Sequence, residues 1–564
     1  MKPNKGIKIT LLLGLVNIVF AGPKLAKDLP PPNSIAPVDI ILQFKTLPTK
    51  DDLKQLGPYG QTKKTFNTIK AIEVTVSPKV LAALESMPNV KYISPNRKNQ
   101  RFLDLTTSAV NANYAWPLGW DGTGVGVAVV DSGIALKHDL TGPNGTTSRV
   151  LYSESFVTGD TATTDVYGHG THVAGIVASS GRDSSGLGFT HTYKGVAPNA
   201  NLISLRVLDA NGGGSESGVI AAIERAIELK STYNIRVLNL SLGRTVFESY
   251  TLDPLCQAVE AAWNAGIVVV TAAGNFGRDN SLGTNGYGTI ASPGNDPYVI
   301  TVGAMNTKGT MATADDVIAS YSSKGPTLID HIVKPDLVAP GNAVVSLKAP
   351  NSTLAANYPT TLIPVSIYQT LGLLGLGNSN DYFRLSGTSM ATPVVSGAAA
   401  LLIQQQPSIT PDQVKARLMK TATKALNLYS TGISAKDMQR FYNQSDIFTV
   451  GAGYLNIFAA LASHEMVSMP ALSPAVVRNP VTGKISILRN FSICWGDSMV
   501  WGDSALFGNT VFSHTALTAT DESICWGDSM VWGDSTTAGF TIVWGDSVLG
   551  SASMQALSAD DDDQ

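Results

Sequence analysis

The chain has 564 residues, of which 44% are hydrophobic, so it can fill a large core, and this excludes an intrinsically disordered protein. Its 40 Lys and Arg residues against 43 Asp and Glu residues give a net charge of −3, which lacks the positive surplus of a general nucleic-acid-binding protein. Only three cysteines are present, so disulfide bonds are not expected to be the main source of stability.

Residues 1 to 21 have the pattern of a secretory signal peptide. Three lysines precede an apolar run from Ile9 to Ala21, and the run ends in small residues suited to cleavage. As a helix this run would rise about 20 Å, less than the roughly 30 Å hydrocarbon core of a bilayer. The pattern therefore favours a cleaved signal over the alternative of a permanent anchor, and predicts a secreted protein, extracellular or in the cell envelope, with no stable membrane span.

Residues 30 to 100 read as a small α+β module. Apolar runs predict strands at Val38–Leu42, Ala71–Val76 and Val90–Ile93, and Ser77-Pro78 predicts the start of a helix. A basic, polar stretch follows at residues 96 to 101 and is typical of an exposed, cleavable linker.

Residues 110 to 463 alternate apolar strands, glycine-rich turns and helices. The fold class predicted is α/β, a doubly wound and mainly parallel sheet with helices on both faces, because continuous apolar strands need cover on both sides. The predicted strands are Val125–Val130, Asn201–Val207, Arg236–Leu240, Ile267–Thr271 and Val299–Val302.

Residues 466 to 564 form a C-terminal repeat region that is predicted to be β-rich. Trp-Gly-Asp-Ser occurs five times, and the eleven-residue unit Cys494–Ser504 recurs at Cys525–Ser535. Three interpretations stay open: the tail stacks on itself, it contacts a surface through its tryptophans, or it directs export or assembly. A chain ending near residue 465 is expected to keep catalytic activity, because the change in composition marks a boundary.

Three reactive side chains stand out within apolar or glycine-rich sequence. Asp131 ends a predicted strand, His169 opens a helix of small residues, and Ser389 opens another, Val394–Ile403. A carboxylate, an imidazole and a hydroxyl can together form an activated nucleophile.

Each of these residues also has a purely structural explanation. The aspartate could close a turn, and Gly-Thr-Ser could be a helix cap. His172 competes with His169, and two histidines three apart could in principle hold a metal, although no zinc motif accompanies them. No metal-ligand set is therefore predicted.

The segments Asp131-Ser132-Gly133, Gly168-His169-Gly170-Thr171-His172 and Gly387-Thr388-Ser389-Met390-Ala391-Thr392-Pro393 resemble, in this order, the three signatures of the subtilisin-like serine proteases. The resemblance implies a triad in which Asp131 orients, His169 is general base and acid, and Ser389 is the nucleophile. Asn275 matches the family's oxyanion-hole asparagine. A related family that uses a glutamate also has a Gly-Thr-Ser serine, but His169 and Asn275 favour the subtilisin-like chemistry.

The same resemblance implies the substrate contacts. Two edge segments are expected to pair with an extended peptide, and Ala291 is expected at the base of the primary pocket, where no charge is predicted. These implied substrate-binding residues are Ser241, Leu242, Gly243, Gly212, Gly213, Gly214 and Ala291.

Residues 38 to 94 resemble the family's inhibitory propeptide, which implies that the chain binds its own propeptide. The resemblance also implies that no cofactor is required for catalysis. The loop Ser179–Tyr193 does not reproduce the family's calcium-binding loop, so structural calcium stays an open alternative, and the stretch Ala349–Tyr382 is longer than the core fold needs.

The function expected is a secreted serine endopeptidase of broad specificity that acts on proteins or peptides and is made as a self-processing zymogen. The rival hypothesis is a surface-binding protein whose protease-like domain merely carries the repeat tail. The presence of all four implied catalytic residues favours the enzyme.

Overall fold

The structure is a computed structural model. It describes residues 24–478, apart from gaps at 27–28, 33, 35–36, 68, 96–102, 282, 370–376, 435, 465–466 and 468, together with strands at 485–488, 523–525 and 554–556. The chain divides into two compact units, residues 1–100 and 101–564. The predicted signal peptide and all five Trp-Gly-Asp-Ser repeats lie outside the described residues.

The first unit is a four-stranded antiparallel sheet with two short helices. Its elements are β1 (Val38–Phe44), α1 (Lys50–Leu56), β2 (Gly60–Phe66), β3 (Ala71–Val76), α2 (Leu81–Ser86) and β4 (Val90–Pro95). The strand order is β2-β3-β1-β4, and a small core of its own includes Ile40, Leu42 and Val74. Three of the strands coincide with predicted apolar runs, whereas β2 is a polar and mostly exposed edge strand that shows no such pattern.

The second unit contains the large core. Its helices and strands, in chain order, are α3 (Leu103–Ala109), β5 (Gly126–Asp131), β6 (Val150–Ser155), α4 (His169–Ala178), β7 (Asn201–Arg206), β8 (Gly213–Gly214), α5 (Glu216–Glu228), α6 (Lys230–Tyr233), β9 (Ile235–Leu240), β10 (Leu242–Gly243), α7 (Pro254–Asn264), β11 (Val268–Ala272), β12 (Ile300–Asn306), β13 (Val317–Ile318), β14 (Leu337–Pro340), β15 (Val344–Leu347), α8 (Thr353–Asn357), β16 (Leu362–Pro364), β17 (Asn378–Leu385), α9 (Thr388–Gln405), α10 (Pro411–Thr421), β18 (Tyr429–Ile433), β19 (Arg440–Gln444) and α11 (Ile457–Ala462).

An eight-stranded, mostly parallel sheet forms the centre of this unit. Its order is β13-β12-β11-β9-β5-β7-β6, with β14 also paired to β12, and the pairing of β12 with β13 is antiparallel. Every residue of β5, β11 and β12 is buried, which requires cover on both faces. Helices α4 and α9 pack on each other and on the central strands, as do α5 and α7.

The chain segment after α11 packs on the same unit. The remaining strands are β20 (Ala475–Arg478), β21 (Ile485–Leu488), β22 (Ser523–Cys525) and β23 (Met554–Ala556), of which the first three form one sheet. Val476 is buried in the large core, and its N–H donates to the carbonyl of His331 over 2.8 Å. The packed unit therefore continues past the predicted domain end at residue 463, as far as β20.

The stretch Ala349–Tyr382 supports the loop that leads into α4. The N–H groups of Thr353 and Leu354 donate to the carbonyls of Val166 and Tyr167. A Cβ added to Gly168, whose φ is +101°, would lie 2.5 Å from the Cβ of Ser352, so this contact requires a glycine. Within the described ranges, none of the helices combines the length and the hydrophobicity that spanning a bilayer requires.

Candidate active site

Asp131 and His169 form a buried hydrogen-bonded pair at the carboxyl end of the sheet. Nδ1 of His169 lies 2.8 and 3.0 Å from the two carboxylate oxygens of Asp131, and both side chains are fully buried. The carboxylate is further fixed by the N–H of Ser132 at 2.7 Å. With its Nδ1–H donated to Asp131, a neutral imidazole carries its lone pair on Nε2, which has no hydrogen-bond partner among the described residues.

Asp165 holds the helix that carries His169 and was missed in the sequence. Its carboxylate accepts hydrogen bonds from Ser132 Oγ, Gly168 N and both the N–H and hydroxyl of Thr171, over 2.6 to 2.8 Å. These contacts join the turn after β5 to the first turn of α4. Burial raises the pKa of this carboxyl above its ordinary value.

His172, the competing histidine, faces away from Asp131. Its Nε2 lies 3.0 Å from the carbonyl of Val344, so this nitrogen carries the proton and donates it. Its ring meets Phe383 edge to face at 5.1 Å. Burial lowers the pKa of His172 to about 3, which keeps it neutral and structural.

Ser389 lies in the first turn of α9, where a proline changes the hydrogen bonding. Pro393 has no N–H, so it cannot donate to the carbonyl of Ser389 four residues earlier. The hydroxyl of Ser241 donates to that carbonyl instead, over 2.9 Å. Ser389 Oγ in turn donates to the carbonyl of Ser241 at 2.9 Å, so in this conformation the hydroxyl is not hydrogen-bonded to His169.

Asn275 presents an unpaired amide beside Ser389. Its Oδ1 accepts from the N–H of Thr388 at 2.9 Å and from the Thr388 hydroxyl at 3.1 Å. Its Nδ2 is buried and has no hydrogen-bond partner within the described part of the chain. A buried donor without an acceptor is costly, and it is suited to an oxygen that becomes negatively charged during a reaction.

The two predicted edge segments become β8 and β10, which flank a third strand. A Cβ on Gly212 would lie 2.5 Å from the ring of Tyr167, and one on Gly214 would lie 2.4 Å from the carbonyl of Val207. Both glycines are therefore required for close backbone approach, whereas a Cβ on Gly213 meets nothing closer than 3.8 Å.

Ala291 lines a mostly apolar pocket of about 260 Å³. Its lining includes Thr245, two residues after Gly243 in the sequence, and Phe276, which follows Asn275. The other lining residues are Val246, Asp279, Ser281, Thr284, Gly288, Thr289, Ile290, Ala291 and Leu328. One carboxylate, Asp279, is among these residues, although the sequence pattern predicted no charge.

The loop after α4 is held by protein hydrogen bonds. The buried carboxylate of Asp139 accepts from Ser179 Oγ at 3.0 Å, from Tyr382 Oη at 2.6 Å and from the N–H of Asp183 at 2.8 Å. Within the described ranges, no three His, Cys, Asp or Glu side chains come together as a metal site.

Comparison with known proteins agrees with this geometry. A family model described as the subtilase family matches residues 122–440. Serine protease AprX of Bacillus subtilis (strain 168) is 39% identical over 372 residues, which cover 64% of this chain and 76% of that protein. Subtilisin DY of Bacillus licheniformis is 34% identical over 351 residues, covering 62% and 96%, and subtilisin E of Bacillus subtilis (strain 168) is 33% identical over 388 residues, covering 68% and 83%. The chain belongs to the subtilase family and is a serine endopeptidase.

Proposed function

We propose that Ser389 attacks the carbonyl carbon of a peptide bond while His169 Nε2 accepts its proton. Asp131 fixes the imidazole and stabilises its charged form, and His169 then passes the proton to the leaving amine. Water hydrolyses the resulting acyl-enzyme. The observation that carries this proposal is the buried Asp131–His169 pair, whose second ring nitrogen is unpaired among the described residues.

The oxyanion would be stabilised by two donors next to the nucleophile. Asn275 Nδ2 is unpaired in the described part of the chain, and its carbonyl oxygen is locked by Thr388, which fixes the direction of the amide. The second donor is the backbone N–H of Ser389. Because these groups are positioned before the reaction, they stabilise developing charge without reorganisation.

The proposed substrates are extended segments of proteins or peptides. Gly212, Gly213 and Gly214 on one side, and Ser241, Leu242 and Gly243 on the other, offer backbone groups for a strand between them. The pocket at Ala291 favours an apolar or aromatic residue before the cleaved bond. We propose no cofactor for catalysis and leave structural calcium to experiment.

We further propose that the protein is secreted and made as a zymogen. Residues 1–21 would act as the signal peptide, and residues 30–100 as an inhibitory propeptide that is bound by the catalytic domain and removed by self-cleavage. The separate core of the first unit supports an independent module, and the basic stretch that follows supports a cleavable link. The repeat tail would stack on itself or contact a surface.

Replacement of the nucleophile tests the proposal. Ser389→Ala is expected to abolish cleavage of casein and to leave a precursor that lacks only its signal peptide, in a host without other proteases. The matched control is Ser408→Ala, which removes an exposed hydroxyl shortly after α9. This control should leave both casein cleavage and self-processing intact. A serine-directed phosphonate should inactivate the wild type. Trimming of the Ser389→Ala protein at the native site would contradict self-cleavage.

A further inference from the structure

The space between the two edge strands is filled by the C-terminal strand of the same chain. β23 lies between β10 and β8 in one three-stranded sheet and is antiparallel to both. Gln555 is opposite both Gly243 and Gly213, Ala556 is opposite Leu242, and Met554 is opposite Gly214. The segment thus has the place and the backbone pairing that the proposed function gives to a substrate.

The direction of β23 leads the chain toward the residue that contacts the nucleophile. β23 runs antiparallel to β10, so the described strand advances from Gln555, opposite Gly243, to Ala556, opposite Leu242, in the direction of Ser241. Ser241 is hydrogen-bonded twice to Ser389, through its carbonyl and through its hydroxyl. Leu557 is the next residue in the sequence and lies outside the described residues.

The local sequence fits cleavage after this leucine. An apolar side chain suits the pocket that is lined by Ala291, Val246 and Ile290. Another lining residue, Thr245, lies two residues after the end of β10 in the sequence. Small residues follow at Ser558 and Ala559, and then four aspartates at 560–563, so the side released by the cut is strongly acidic.

We propose that the C-terminal segment is a substrate of its own active site, and that it occupies the cleft until it is cut after Leu557. This inference rests on the proposed function. Ser389 Oγ would bond to the carbonyl carbon of Leu557 while the bond to the nitrogen of Ser558 breaks. The serine proton passes through His169 to that nitrogen, and water then frees the Leu557 carboxylate. The products are a chain that ends at residue 557 and the peptide 558–564.

A tethered strand competes with every other substrate. A segment linked to the same chain acts at an effective concentration of about millimolar, so a free peptide must displace it before binding. After cleavage the strand remains part of the chain, because it lies on the N-terminal side of the cleaved bond, and it stays in the cleft as a bound product. Occupancy by β23 therefore raises the apparent KM for external peptides and leaves kcat unchanged once they are bound.

The test uses full-length point variants. Gln555→Pro removes the N–H of the residue that lies opposite both edges, whereas the control Ser551→Pro makes the same change three residues before the strand. The chain is isolated with a reversible boronate and diluted to start the reaction. A short apolar chromogenic peptide gives KM and kcat, and mass spectrometry follows release of residues 558–564.

We expect Gln555→Pro to lower the apparent KM about three- to tenfold with kcat unchanged and to slow release of the peptide. Ser551→Pro should match wild type, and Ser389→Ala should release nothing. The first-order rate of release in the wild type should not depend on protein concentration, because the cleavage is intramolecular.

Two kinds of failure are distinguishable. If casein and the chromogenic peptide are cleaved but Gln555→Pro has the KM of wild type, or residues 558–564 stay attached, this inference alone is overturned. A release rate that rises with protein concentration would also overturn it. If no form cleaves casein or the peptide, the proposed function fails, and this inference fails with it.

Discussion

The two ends of the Asn275 amide differ in their hydrogen bonding. Its oxygen is held by Thr388, and its nitrogen is left as a buried donor without a partner among the described residues. Such a group gains its hydrogen bond only when an acceptor forms in the site, so under the proposed mechanism its contribution is expected in the transition state rather than in substrate binding.

Asn275→Ala should therefore lower kcat about 10²- to 10³-fold with KM nearly unchanged, the loss known for the equivalent donor in subtilisin. Steady-state kinetics with a chromogenic peptide measures both constants. Asn357→Ala, at the exposed end of α8, is the matched control. A higher KM with kcat intact would show that Asn275 binds the ground state instead.

Asp446 links stability to pH through one buried carboxyl. It accepts hydrogen bonds from the hydroxyl of Tyr287 and from the N–H of Phe448. Burial, which outweighs those hydrogen bonds, raises its pKa from 3.8 to about 6. The raised pKa means that the folded state binds the proton more tightly than the unfolded chain does, so protonation of Asp446 stabilises the fold. This stabilisation is complete at pH values below the pKa of the carboxyl in the unfolded chain, and it is lost as pH rises through about 6.

Asp446→Asn should remove that dependence. In a Ser389→Ala background, the difference in unfolding free energy between parent and variant should fall by about 3 kcal/mol from pH 3 to pH 7, as measured by urea denaturation. Asp315→Asn alters an exposed carboxyl and serves as the control. A difference that is constant with pH would mean that Asp446 titrates alike in the folded and unfolded chains.

At the scale of elements, helix α4 depends on Asp165 for its position. Four hydrogen bonds converge on this carboxylate, and an amide in its place would direct a donor at other donors. Asp165→Asn should reduce the unfolding free energy by about 2 kcal/mol and lower kcat more than it raises KM, because His169 begins the same helix. Steady-state kinetics and thermal unfolding of this variant are compared with those of Asp160→Asn, a control in the same loop. Equal changes in the two variants would argue against a positioning role.

Continuous apolar runs made the strands of the central sheet predictable, because burial on both faces of the sheet favours an apolar side chain at every position of a strand. The run Val125–Val130 became β5, with Asp131 at its end, as the site required. Asp165 could not be found in this way, since its partners come from two separate segments and meet only in the folded chain. β23 was equally hidden, because three residues carry no periodicity.

For the whole molecule, the end of the catalytic unit is set by buried charge rather than by composition. Ser473 donates its hydroxyl to Asp336 and accepts from the ammonium of Lys415, and all three side chains are buried. Burial lowers the pKa of Lys415 to about 7, so this cation depends on each of its oxygen partners. The composition boundary at residue 465 lies before this contact.

Two truncations distinguish a catalytic unit that ends by residue 465 from one that extends to β20. A chain that ends at residue 465 should be unstable and inactive, since it leaves Lys415 and Asp336 with fewer partners, whereas one that ends at residue 480 should fold and cleave a chromogenic peptide. Activity and thermal unfolding of both proteins decide the matter. A stable, active chain of 465 residues would show that the catalytic unit ends at the change in composition.

The strand β23 also covers two backbone edges at once. Unpaired edges of β8 and β10 would offer open N–H and C=O groups, and such edges promote association between copies of a protein. A chain that keeps its own strand there shields both edges. If β23 occupies the cleft as proposed, its displacement exposes both edges at once, a surface suited to binding substrates and, equally, to sheet-mediated aggregation. We therefore expect activation of the enzyme to lower its solubility.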